Sequence, residues 1–143
     1  MNYTKPSAVR LLNMLEQKII VFDGAMGTMI QQQGLTEEDF RGTSFLEHPS
    51  PLKGNNDLLS ITRPDVIEKI HLEFLKAGAG ILGTNTFNAN RISQGDYNLE
   101  KSVAEINRAA VAIARKAVES FQSGQTAEEI QSGHPIFVAG SIG

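Results

Sequence analysis

Residues 21–28 read V-F-D-G-A-M-G-T, an order that sets one carboxylate at the end of an apolar run and follows it with two glycines three residues apart. Ile19, Ile20, Val21 and Phe22 are β-branched or aromatic, which predicts a short, fully buried strand over residues 19–23. Gly24 and Gly27 permit a tight turn, and the close approach of a ligand, that a Cβ would block. Backbone N–H groups in such a turn, running into the first turn of a helix, attract a carboxylate or phosphate. Asp23 then answers a cationic group. It also suits a capping role for a helix starting near Ala25, and the two roles can coexist.

Outward from this stretch the pattern alternates. Ala8, Leu11, Leu12 and Leu15 recur at helical spacing behind Pro6 and predict an amphipathic helix leading into the strand. Residues 34–59 lose periodicity among Gly, Pro, Asn and Asp, apart from a short turn at 37–40, and such an excursion is expected to be a lid or binding loop. Thr62, with Asp65 three residues on and Pro64 between, predicts the cap of a second helix. Ile67, Ile70, Phe74 and Leu75 form its buried face and Gly78 its stop. A second strand is expected over 81–84, leading to Asn85, Thr86 and Phe87. Leu99, Val103, Ile106, Ala110, Ile113, Ala114, Ala117 and Phe121 trace one stripe of a long helix, residues 123–133 read as a polar connection, and a third strand is expected over 136–139. Three strands separated by helices make two βαβ crossovers, hence an α/β fold with parallel strands and right-handed connections.

Composition narrows the chemistry. At 143 residues with 41% apolar and 20% charged residues, the chain has the make-up of one globular domain rather than of a disordered segment. A net charge of −3 with scattered Lys and Arg offers no field for nucleic acid or an anionic membrane. Residues 1–17 lack the apolar stretch of a signal peptide and no run reaches the length of a membrane span, so a cytoplasmic location is expected. The absence of cysteine excludes a disulfide framework, a thiolate zinc site and a cysteine nucleophile within these residues.

Several motifs have bland readings. Residues 78–83, G-A-G-I-L-G, match the dinucleotide fingerprint by letter, but a helix precedes them and a strand runs through them, the reverse of what that site needs. His71 lies on the apolar stripe of the second helix and reads as a satisfied core histidine. His48 and His134 sit beside prolines, and no pair has ligand spacing. Asn55, Asn56 and Asp57 behind Gly54 read as turn chemistry. Asp23, Asn85, Thr86 and Ser141 each follow the C-terminal end of an expected strand, the rim where parallel α/β folds bind ligands.

Taken together, V-F-D-G-A-M-G-T-M-I-Q, D-F-R-G at 39–42, L-K-G-N-N-D-L-L at 52–59, T-x-P-D-V-I-x-x-I-H at 62–71, T-N-T-F at 84–87, A-E-I-N at 104–107 and the final V-A-G-S-I-G resemble the start of the cobalamin-dependent methionine synthase family. D-G-A-M-G-T alone resembles the wider homocysteine S-methyltransferase group, and D-F-R-G and L-K-G-N-N-D-L-L narrow it. The resemblance runs in order over residues 15–143. It implies a leading helix over 1–18 and, over 19–143, about the first three βα units of a homocysteine-binding TIM (β/α)₈ barrel. In that family a zinc ion held by three cysteines binds homocysteine as its thiolate. The thiolate takes a methyl group from methylcobalamin, which a neighbouring module recharges from methyltetrahydrofolate. The implied partners are therefore homocysteine and the folate and cobalamin modules. By the same resemblance Asp23 would hold the substrate ammonium, and the amides of Gly24, Ala25 and Met26 would face its carboxylate. Asn85, Thr86 and Ser141 complete the expected substrate rim.

The chain departs from that family in two respects. The family's zinc cysteines lie on later strands, so neither metal ligands nor catalytic residues are expected here, and the isolated chain is expected to be inactive. Gly80 and Gly83 stand where relatives often carry Asp and Glu, and glycine is a poor strand residue, so a weakened second strand or altered rim chemistry is expected. An open three-stranded sheet should expose apolar surface and favour aggregation unless covered. The rival readings are a small α/β module that binds an anionic metabolite without catalysis, and a structural fragment without activity of its own.

Overall fold

Pro6, with its backbone angle preset for a first helical turn, opens α1, Pro6–Leu15. The computed structural model describes residues 5–124 and 135–141. The expected helix is present, but none of its residues is buried, and Val9, Leu12 and Leu15 remain exposed. After the glycine turn comes α2, Met26–Gln32, with Ala25 in the left-handed conformation at its N-cap.

The sheet is parallel throughout. β1, Ile81–Gly83, pairs with β2, Phe137–Ala139, placing Ile81 opposite Phe137 and Gly83 opposite Ala139. On the other side of β1, residues 21–23 run parallel through a single bridge between Phe22 and Ile81. The Asp23 N–H donates to Ile81 O at 2.9 Å and the Gly80 N–H to Val21 O at 2.9 Å. The first expected strand is thus an extended segment held by a few bonds, and it is not fully buried: Ile19 is 93% exposed and Phe22 53%. Apolar character set that expectation, whereas burial depends on what covers a face, and among the described residues nothing covers this one. The glycines of β1 have a steric role. A Cβ on Gly80 would lie 2.7 Å from Ile20 Cγ2, and one on Gly83 3.1 Å from the Phe22 ring. Their bareness lets residues 20–23 lie against β1.

Residues 34–59, expected as a lid or binding loop, contribute Phe40, Leu52, Leu58 and Leu59 to the core. They contain α3, Glu37–Arg41, a 3₁₀ turn at Asn56–Leu58, and lead into α4, Leu59–Thr62. Leu52, Leu58 and Leu59 are fully buried, and Phe40 joins them. D-F-R-G is explained letter by letter. Asp39 closes a capping box with Thr36 and pairs with Arg63. Arg41 donates to the carbonyls of Phe45, Leu46, His48 and Ser50 and pairs with Glu37, whose carboxylate accepts the N–H groups of Leu52 and Lys53. Backbone polar groups that would be costly to bury are thereby satisfied. Gly42 takes φ 52° and ψ −147° beside Thr62.

Thr62 does not cap the second helix; it ends α4. Pro64 excludes a helical conformation at the residue before it, so Arg63 breaks the chain (φ −137°) and α5 runs Pro64–Lys76. Asp65 pairs with Arg63. The stop at Gly78 has the geometry expected of it: with φ +98°, Gly78 N–H donates to Leu75 O and Ala79 N–H to Phe74 O, the paired bonds of a Schellman motif. After β1 come the short α6, Arg91–Gly95, and the long α7, Val103–Ser123. The stripe Ile106, Ala110, Ile113, Ala114 and Ala117 is buried against α5 and α4. Leu82 of β1 packs on Leu75 and Ala117, so the sheet rests on the ends of α5 and α7. The expected polar connection falls largely on residues 125–134, outside the described residues.

Gly42→Ala tests the excursion as a core element. Its φ and ψ are almost exclusive to glycine, and an added Cβ would lie 3.0 Å from Thr62 Cβ. The variant should lose about 1–3 kcal/mol or more in urea unfolding, whereas a detached lid would leave the midpoint unchanged.

Candidate functional site

The C-terminal ends of the three parallel segments converge on a cleft of about 270 Å³, close to the lower end of ligand-pocket sizes of about 300–1,000 Å³. Asp23, Gly24, Ala25, Met26, Asn85, Thr86 and Ser141 all line it, together with Thr84, Phe87 and Gly83. All seven residues singled out from sequence therefore share one cavity, because each follows a strand end of one parallel sheet.

Asp23 does not cap α2, whose N-cap is Ala25 without a side-chain bond. Its carboxylate turns across the sheet instead. Oδ1 accepts the Gly83 N–H at 2.8 Å, and Oδ2 lies 3.7 Å from Nδ1 of His71, leaving the side chain 7% exposed. A Cβ on Gly83 would sit 3.3 Å from Oδ1, so glycine at that position makes the room. Gly24, Ala25 and Met26 lead into α2, whose first amides have no intrahelical acceptor and carry the positive end of the helix dipole. The cleft lining thus brings Asp23 together with the residues that open α2.

The opposite wall is built by hydroxyls. Ser141 N–H donates to Thr84 Oγ1 at 3.0 Å, Thr84 and Thr86 hydroxyls lie 2.7 Å apart, and Thr86 Oγ1 donates to Ser141 O at 2.8 Å. Only one direction satisfies all three bonds: Thr86 donates to the carbonyl, so Thr84 donates to Thr86. Thr84, which sequence reasoning counted only as part of a strand, is the centre of this stitch. Asn85 Nδ2 donates to Asn56 O at 2.7 Å. Asn85 and Thr86 thus shape the wall through structural bonds.

Asn55, Asn56 and Asp57 do more than form a turn. Asn55 exchanges two hydrogen bonds with Gln94, at 2.8 and 3.1 Å, both residues being buried. Asn56 receives Asn85, and Asp57 Oδ1 accepts the Asn88 N–H at 2.9 Å. These three residues clamp the loop that carries Asn85, Thr86 and Phe87. Their spacing to residues 85–94 has no local signature in the sequence. Burial pushes the Asp57 carboxyl above the ordinary aspartate range, opposed by the bond from Asn88.

His71 is buried on α5 as expected, but it is not satisfied: among the described residues neither ring nitrogen has a hydrogen-bond partner. Leaving a buried polar group unpaired costs about 1–3 kcal/mol. Among the described residues no group of three or more His, Asp or Glu side chains is placed to hold a metal, and no helix is long and apolar enough to cross a membrane.

A family model described as homocysteine S-methyltransferase matches residues 20–143. Among solved structures, the homocysteine methyltransferase MmuM from Escherichia coli is similar in its metallated form, with a TM-score of 0.66 and 24% identity over 92% of this chain. Its oxidized form gives a TM-score of 0.66 and 23% identity over 91% of this chain. The chain spans 40% and 39% of the lengths of those two structures. At these identities the likeness concerns the fold.

The Asp57 clamp has a pH signature. A carboxyl whose folded pKa is raised binds more protons folded than unfolded, so its contribution is fully present below the unfolded value and is lost as pH rises through the folded one. Asp57→Asn keeps an acceptor for Asn88 and removes the ionisation. The variant should be at least as stable as the parent at pH 7 and should lack that part of the decline above the ordinary aspartate range, as read by urea midpoints across pH. A parent and variant with parallel profiles would contradict the assignment.

Proposed function

We propose a function from one premise: the chain belongs to the homocysteine S-methyltransferase family. The chain supplies part of the rim of a (β/α)₈ barrel, its three parallel segments being the first three strands, and this rim receives the amino-acid head of homocysteine for S-methyl transfer. Asp23 takes the ammonium group. The amides of Gly24, Ala25 and Met26 take the carboxylate, and the wall formed by Asn85, Thr86 and Ser141 fixes the direction in which the thiol leaves the cleft. The single observation that carries this reading is the meeting, in the lining of one cleft, of Asp23 and the residues that open α2. A zwitterion needs both, whereas a simple anion would be repelled by the carboxylate.

The methyl donor is methylcobalamin, recharged from methyltetrahydrofolate by neighbouring modules. This finer assignment rests on the resemblance of D-F-R-G and L-K-G-N-N-D-L-L to the cobalamin-dependent methionine synthases. The residues present do not fit the zinc centre implied by that family, because the chain has no cysteine and the described residues form no alternative cluster. Activation of the thiol therefore falls outside what these residues do. Their task is to bind and orient.

Calorimetry of the chain with L-homocysteine should detect binding, and Asp23→Asn should weaken it roughly tenfold or more through loss of a charge-assisted contact. Inorganic phosphate should bind poorly. Equal affinity of the variant, or preference for phosphate, would refute the amino-acid site. With homocysteine, zinc and methylcobalamin supplied, the isolated chain should show no turnover above the protein-free rate.

A further inference from the structure

Asp23 is positioned from behind as well as from the side. Gly83 N–H holds Oδ1 at 2.8 Å, while Oδ2 faces the imidazole of His71, which is wholly buried on α5. Nδ1 of that ring lies 3.7 Å from Oδ2, within ion-pair range but too far for a hydrogen bond, and among the described residues neither ring nitrogen has another partner. A buried imidazole with two orphaned nitrogens is anomalous unless one of them serves a neighbour. Among the described residues Asp23 is the one carboxylate within ion-pair distance of it.

We infer that His71 is the positioning residue for Asp23: with its proton on Nδ1, the ring closes on Oδ2 and, together with the Gly83 N–H, fixes the plane of the carboxylate that meets the substrate ammonium. The closure needed is small, roughly 0.7–0.9 Å to reach ordinary N–H···O length. Two donors on different elements, one on β1 and one on α5, then leave the carboxylate a single orientation at the edge of the cleft. This is the arrangement by which a supporting hydrogen bond sets both the tautomer of a histidine and the aim of its partner. The role rests on the reading of Asp23 as the ammonium site, but the pairing itself does not.

The chain has three histidines, so ring ¹⁵N signals are few enough to assign. In the full chain, His71 should show the Nδ1–H tautomer, and Asp23→Asn should shift its ring signals. An Nε2–H tautomer indifferent to Asp23→Asn would overturn the pairing. Substitution separates positioning from packing, since Asn places an amide near the site of Nδ1 and Gln near that of Nε2. His71→Asn should bind homocysteine within about threefold of the parent, and His71→Gln, closer in volume, should bind roughly tenfold more weakly. The reverse order would show a packing role and overturn the proposal. If the His71 signals respond to Asp23→Asn while homocysteine fails to bind the parent chain, the pairing stands and the amino-acid reading of the site falls.

Discussion

The clamp made by Asn55, Asn56 and Asp57 is the constraint on which the rest of this structure depends. Asn55 and Asp57 lie between Leu52 and Leu58, and all four are buried, so the polar groups of the pair go into the interior. Burial without partners would be prohibitive, and the partners available are Gln94, Asn85 and the backbone of Asn88. Satisfying the excursion therefore fastens the loop after β1. One wall of the cleft is placed by the same bonds that allow the core to close.

The rim shows how short elements can be held accurately. Residues 21–23 and β1 share few ladder bonds, too few for a sheet to be stable alone. Side chains complete the join: Asp23 reaches Gly83, and Thr84 and Thr86 reach Ser141. Gly80 and Gly83 make the first of these contacts sterically feasible. β1 is short, Ile81–Gly83, and the bare Gly83 gives the carboxylate a place to lie. A carboxylate so held contributes to the fold and remains at the edge of the cleft.

Local signals were legible where physics is local. Pro64 and Gly78 bracket α5 because one presets a helical angle and the other accepts a left-handed one. The stripe from Ile106 to Ala117 declares α7 through its 3.6-residue period. The cleft residues could be chosen because polar side chains after strand ends meet in any parallel sheet. The excursion was not legible in this way. Leu52, Leu58 and Leu59 follow no period, and the match of Asn55 to Gln94 spans 39 residues with nothing in either neighbourhood to announce it. Nor does the hydrophobicity of Val21 and Phe22 say whether another element covers them.

The order of residues alone was therefore enough to specify an alternating α/β chain, its principal helix boundaries, and which polar groups gather at one rim. It could do so because helical period, backbone permissiveness and strand alternation act within a few residues. The conversion of an apparent loop into core, the turn of Asp23 away from α2 toward Gly83, and the approach of His71 behind it required the folded arrangement. Each of these is a pairing of distant groups, chosen by which buried donors and acceptors could be satisfied together.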